Sequence, residues 1–209
     1  MIKKLDDDGF TIVELLISTA VFTTILLIVT FGIIQISRMF TSGFIQTQTQ
    51  NVAVSLSDQL TRDIEFSSAS SIQTDQLVNI SGTNYYYFCT YQFEYFYTPG
   101  GSLYKIPLAT ITNCQTPDTK WLSNSQTQNL LSSNMKVLNN SGFNDSSQQS
   151  IINNGASSGL YTINLDILYG NTTNLVQNNK ATLWICKPVV IVGPFCANYI
   201  LNTQAYAQD

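Results

Sequence analysis

The chain has 209 residues, nine Lys and Arg against 13 Asp and Glu, no histidine, and a net charge of −4. So few cations cannot hold a phosphate backbone, so direct nucleic-acid binding is not expected, and without imidazole there is no His base, His triad or His-ligated metal. Ser, Thr, Asn and Gln number 79, an uncharged polar surface that fits a place outside the cytoplasm better than the usual cytosolic one, about a quarter charged.

The first predicted element is an apolar helix. Leu15 to Ser37 is a run of 23 residues without a charge. As a helix it is about 35 Å long, enough for a hydrocarbon core of roughly 30 Å. A signal peptide has a shorter apolar core that ends in a small-residue cleavage motif, and here Thr30-Phe31-Gly32-Ile33-Ile34 continues without one. The reading is a retained, single-pass membrane helix. Lys3 and Lys4 precede it, so the N-terminus stays in the cytoplasm and everything after Arg38 is translocated. Glu14 interrupts the apolar pattern between Val13 and Leu15. Near a span's end it can sit at headgroup level, where the positive end of the helix dipole favours an acid.

The run Gly9-Phe10-Thr11-Ile12-Val13-Glu14-Leu15-Leu16 resembles the processing and assembly motif of type IV prepilins and type II secretion pseudopilins. The resemblance covers roughly residues 9 to 38. It implies a leader over 1 to 9, cleavage after Gly9 by a membrane prepilin peptidase, N-methylation of Phe10, and an assembly carboxylate at Glu14. Inside a filament of such subunits, the new ammonium of Phe10 and Glu14 of a neighbour would neutralise one another, each being costly alone in a low dielectric. The chain departs from the family in the acidic Asp6-Asp7-Asp8 just before the cut and in lacking a mid-span Pro. Gly32 is the only helix-weakening residue in the span, costing about 1 kcal/mol relative to Ala.

Past the span (10 to 38), an amphipathic half of the same helix is expected over 39 to 68. Ile45, Val52, Leu56, Leu60 and Ile64 form its apolar stripe, Asp58 and Arg62 an i,i+4 pair, and Gly43 a bend. The residues from 69 to 209 should form an antiparallel β-sheet head. Tyr85 to Tyr97, aromatic at every odd position except Cys89, reads as one strand with an apolar face covered by the helix and polar even positions from Thr90 to Glu94. Pro99-Gly100-Gly101 marks a turn, with Leu103 to Ile106 returning as the hairpin partner. Variable loops are expected around 112 to 158, with a helix at Asn129 to Leu138, and later strands at Tyr161 to Ile167 and Ala181 to Val192. The fold class is α+β and pilin-like.

Cys89, Cys114, Cys186 and Cys196 lack CxxC spacing, which disfavours metal or redox motifs and suits disulfides outside the cytoplasm. Three pairings are possible; Cys89–Cys114 with Cys186–Cys196 is the local one, and buried free thiols are the alternative. No catalytic constellation, cofactor motif or small-molecule site is evident, and no enzymatic activity is expected. The layout of Leu56 to Ile64, Phe93-Glu94-Tyr95 and Leu103-Tyr104-Lys105 is loosely similar to W-type minor pilins and J-type pseudopilins, which implies a minor subunit whose partners are other pilin subunits, the peptidase and the cytoplasmic membrane. Two alternatives stand beside it. One is a filament-tip subunit with an adhesive, ligand-binding or DNA-uptake role; the other is an uncleaved, single-pass anchored surface protein.

Overall fold

The computed structural model describes residues 11–108, 114, 116–117, 121, 124–139, 150–154, 159–171, 175–177, 184–186 and 196–207. The chain divides into two compact units, Met1–Gly43 and Phe44–Asp209. One helix, α1, runs through Ile12–Glu65. Helical structure continues across Gly43, so the bend expected there does not break the element. A single helical glycine costs only about 1 kcal/mol, which the surrounding i→i−4 bonds outweigh.

Within the first unit the described residues are Thr11 and the helix that follows. Ile12, Leu16, Phe22, Leu27, Phe31 and Ile36 are all exposed. Ser18, Thr19, Thr23 and Thr24 return their hydroxyls to main-chain carbonyls three residues back, at 2.8 to 3.0 Å, which removes free donors from the apolar surface.

In the second unit the rest of α1 is amphipathic. Ile45, Thr49, Ala53, Leu56, Ser57, Leu60 and Ile64 are its buried residues, the stripe expected from the sequence with small polar residues between the larger ones. Asp58 and Arg62, read as an ion pair, do not form one; the one ion pair among the described residues joins Lys105 to Asp63. A 3-10 turn at Ala69–Ser71 leads into the head.

Among the described residues the head holds two larger antiparallel sheets and a short ribbon. The first has the order β1(Gln73–Ile80), β2(Thr83–Cys89), β3(Phe93–Tyr97), β4(Leu103–Pro107), β5(Gln128–Asn129). The second is built on β8(Leu160–Tyr169), flanked by β11(Ala197–Tyr206) on one side and by β6(Met135–Val137) and β7(Ile152–Asn154) on the other. A two-stranded ribbon pairs β9(Leu175–Gln177) with β10(Trp184–Cys186). Leu56, Leu60 and Ile64 share one core with Phe88, Tyr95, Tyr97 and Leu103 of the first sheet and Ile163, Leu165 and Ile167 of the second.

Three expectations change. Tyr85 to Tyr97 is a hairpin, not one strand: Thr90 donates its N–H back to the Phe93 carbonyl at 2.9 Å, and Tyr91 N donates to Ser67 Oγ at 2.9 Å. Phe88 therefore stands opposite Tyr95 and Tyr86 opposite Tyr97, so even positions of β2 share a face with odd positions of β3 and aromatic rings occupy both faces. Thr90 and Glu94, expected on a polar face, are buried. Asn129 to Leu138 is not a helix: it contributes the end of β5, a turn over Ser133-Asn134 and β6, whose Met135 and Val137 pair with Tyr169 and Ile167. The alternation of three residues won over an i,i+4 pattern too short to nucleate a helix. Strand β1 was not foreseen, although its loop is a two-residue hairpin turn with Ser81 and Gly82 at φ of 50° and 85°. Of the late strand read at 181 to 192, only Trp184–Cys186 lies within the described residues.

Asp75 sits where β1 slips register between Gln73 and Gln76. Its Oδ2 accepts from the Tyr97 hydroxyl of β3 and from Ile151 N at 2.9 Å, joining the two sheets, while Oδ1 has no hydrogen-bond partner among the described residues. Burial pushes its carboxyl up to about 6, against the pull of the Tyr97 hydroxyl and the Ile151 and Ile152 amides. The folded state thus binds this proton more tightly than the unfolded chain does. The resulting stabilisation is complete below the unfolded value of 3.8 and is lost as pH rises through about 6. Between pH 7 and pH 4, wild type should gain on Asp75→Asn by on the order of 2 to 3 kcal/mol in urea unfolding of the full chain in detergent. A constant difference between the two proteins across that range would refute the assignment.

Candidate functional site

The first turn of α1 carries the one acid within the apolar run's flank. Thr11 and Glu14 satisfy each other reciprocally. Glu14 N donates to Thr11 Oγ1 at 3.3 Å, and Glu14 Oε2 accepts from Thr11 N at 3.0 Å and from Thr11 Oγ1 at 2.9 Å. This is a capping box, T-x-x-E, in which two otherwise orphaned N–H groups find acceptors. The motif is visible in the sequence as Thr11-Ile12-Val13-Glu14, although the pairing of Glu14 with Thr11 was not foreseen.

Geometry gives Glu14 two properties at once. The box fixes the carboxylate beside the start of the helix, where the macrodipole favours negative charge, and Glu14 remains exposed, so it is open to an external cation. Beyond it, α1 contains a window long and apolar enough to cross a membrane, with none of it buried. Gly9 and Phe10, the expected cleavage pair, lie outside the described residues.

The cysteines form the other predicted group. Cys89, at the end of β2, is bonded to Cys114 with a Cα–Cα separation of 5.8 Å, so their sulfurs are spent on each other and are not thiolate ligands. Cys196 is also disulfide-bonded. The side chain of Cys186 lies outside the described residues. In the 112 to 158 region, expected as variable loops, the described part is substantially core: Leu131, Met135, Val137, Leu138, Ile151 and Ile152 are buried.

Two further features were not foreseen. Asp63 of α1 accepts from Lys105 Nζ of β4 at 2.8 Å and from the Tyr95 hydroxyl of β3, and Lys105 Nζ lies 3.5 Å from the centroid of the Phe93 ring. Each partner looks like an ordinary surface residue in sequence; only the register of β3 against β4, with Tyr95 opposite Lys105, brings them under the helix. An open groove of about 480 Å³ also runs along the head portion of α1, beside Phe44, Gln48, Asn51, Ser55, Gln59 and Leu130, with no charged residue in its lining.

Comparison with known proteins found no matching family model, no matching curated protein and no matching solved structure.

Proposed function

We propose that this chain is a pilin-like structural subunit, a minor one, of a type IV pilus or related filament. In this reading a prepilin peptidase cuts after Gly9, Phe10 becomes the methylated N-terminus, and the helix stores the subunit in the cytoplasmic membrane with its head outside until assembly. The observation that carries the reading is the placement of Glu14: an exposed carboxylate, held by Thr11, at the mouth of an unburied apolar helix and five residues beyond Gly9. An acid is expensive near hydrocarbon unless a cation meets it, and cleavage at Gly9 would create an ammonium at that end of the helix. The uncharged groove on the head portion of α1 supports contact with other subunits, since polar amides and apolar side chains can be covered without stranding a charge. The work is mechanical, with filament partners and no substrate.

The exported form should begin at N-methylated Phe10 when its N-terminal peptide is read by mass spectrometry. An intact Met1 in that form would favour a permanently anchored surface protein instead.

A further inference from the structure

One acid of the head is buried beside a disulfide. Glu94 on β3 stands directly across from Cys89 on β2, and the two are 0% and 1% exposed. Cys114 completes a triangle: both sulfurs and a Glu94 carboxylate oxygen lie within 4.8 Å of one another. Across the other neighbouring strand Glu94 meets Ile106, itself buried. The two sulfurs differ in access, since Cys114 is half-buried and Cys89 is enclosed.

A disulfide between an accessible and an enclosed cysteine closes in two steps. An external disulfide oxidant reaches the accessible sulfur and forms a mixed disulfide, which the second cysteine then attacks as its thiolate. A thiol taken out of water resists losing its proton, so a neighbouring proton acceptor sets the rate of the second step. We propose that Glu94 accepts the Cys89 thiol proton as the Cys89–Cys114 disulfide closes. In that step Cys89 Sγ bonds to Cys114 Sγ, the bond from Cys114 to the oxidant breaks, the oxidant departs as its thiolate, and the Cys89 proton passes to the Glu94 carboxylate. Reduction runs the same path backwards, with Glu94 returning the proton to Cys89. The strand register holds acceptor and thiol together before the oxidant arrives, so no rearrangement is needed. The inference rests on the disulfide alone and stands or falls separately from the filament reading.

The test uses the full-length chain in detergent, reduced, freed of reductant and mixed with oxidised glutathione. Intact mass and peptide mapping follow the glutathione adduct at Cys114 and its conversion to the Cys89–Cys114 bond. Glu94→Gln should slow that conversion at least about tenfold, which lies below the usual range for a positioned proton acceptor, so the adduct accumulates. Adduct formation itself should be unchanged, and Glu94→Asp, which keeps the acid one methylene further back, should recover part of the closing rate. Conversion of Glu94→Gln at the wild-type rate overturns the proposal. So does equal slowing of adduct formation and closure, which marks a general loss of structure, or failure of Glu94→Asp to close faster than Glu94→Gln.

Discussion

Replacing Glu14 with alanine is expected to lower recovery of the chain in sheared filaments by at least about a hundredfold while leaving its amount in the membrane fraction unchanged. Two roles for the side chain make different demands. As a member of the capping box with Thr11 it gives acceptors to N–H groups at the start of the helix. As the partner of a neighbour's ammonium in an apolar bundle, its removal leaves a charge unpaired, at a cost of about 3 to 5 kcal/mol, which is the expected hundredfold or more in an assembly equilibrium. Insertion is spared because the substitution removes a charge from the flank of an already apolar segment. Thr11→Val separates the roles: it breaks the side-chain half of the box but keeps the carboxylate, and should assemble to within about tenfold of wild type. If Thr11→Val falls as far as Glu14→Ala, the carboxylate acts through the helix cap and the intersubunit pair is refuted.

What could be read from the sequence was whatever repeats with a period. The length of the uncharged run to Ser37 and the helical period of the stripe from Ile45 to Ile64 identify α1 to within a few residues at either end. Strand β8 was legible for the same reason, and β4 because Pro99-Gly100-Gly101 announces its turn. Gly100 takes a φ of 71° there, and Gly101 leaves no room for a Cβ beside Thr98. The turn that divides β2 from β3 has no such punctuation. Thr90-Tyr91-Gln92 contains no Gly, Pro, Asn or Asp, and its geometry is set by Ser67 reaching across from the end of α1. Missing it reverses which residues share a face, and so hides the burial of Glu94.

The scarcity of charge gives the buried ionic groups more consequence than their number implies. Asp63, Asp75, Glu94 and Lys105 all lie where elements meet: helix on sheet, sheet on sheet, and strand on disulfide. None could be located from sequence, because a single charged letter carries no period and its partner stands up to 76 residues away, as Ile151 does from Asp75. Sequence patterns identify the long periodic elements; these contacts fix how the elements of the head are docked.

Lys105→Ala should lower the unfolding free energy of the head by about 3 to 5 kcal/mol. Lys105 and Asp63 have side chains only 9% and 17% exposed, so water cannot replace the lost ammonium at full strength. Tyr95 still donates to Asp63, but a neutral hydroxyl does not balance a carboxylate. The same anion, after burial, helps hold the Tyr95 hydroxyl far above the usual phenol range, so Tyr95 remains a donor at any working pH. Tyr95→Phe removes one hydrogen bond and keeps the ion pair, and should cost only about 1 to 3 kcal/mol. Removing both charges with Asp63→Leu and Lys105→Met should cost less than Lys105→Ala alone, because the desolvation of each ion disappears with its partner. Urea unfolding of the full chain in detergent, followed by near-ultraviolet circular dichroism of the aromatic core, measures all three. A Lys105→Ala effect below about 1 kcal/mol would place the pair among solvent-screened contacts and leave the docking of α1 to its apolar stripe. A double variant weaker than the single one would show that the ion pair contributes net stability beyond its own burial.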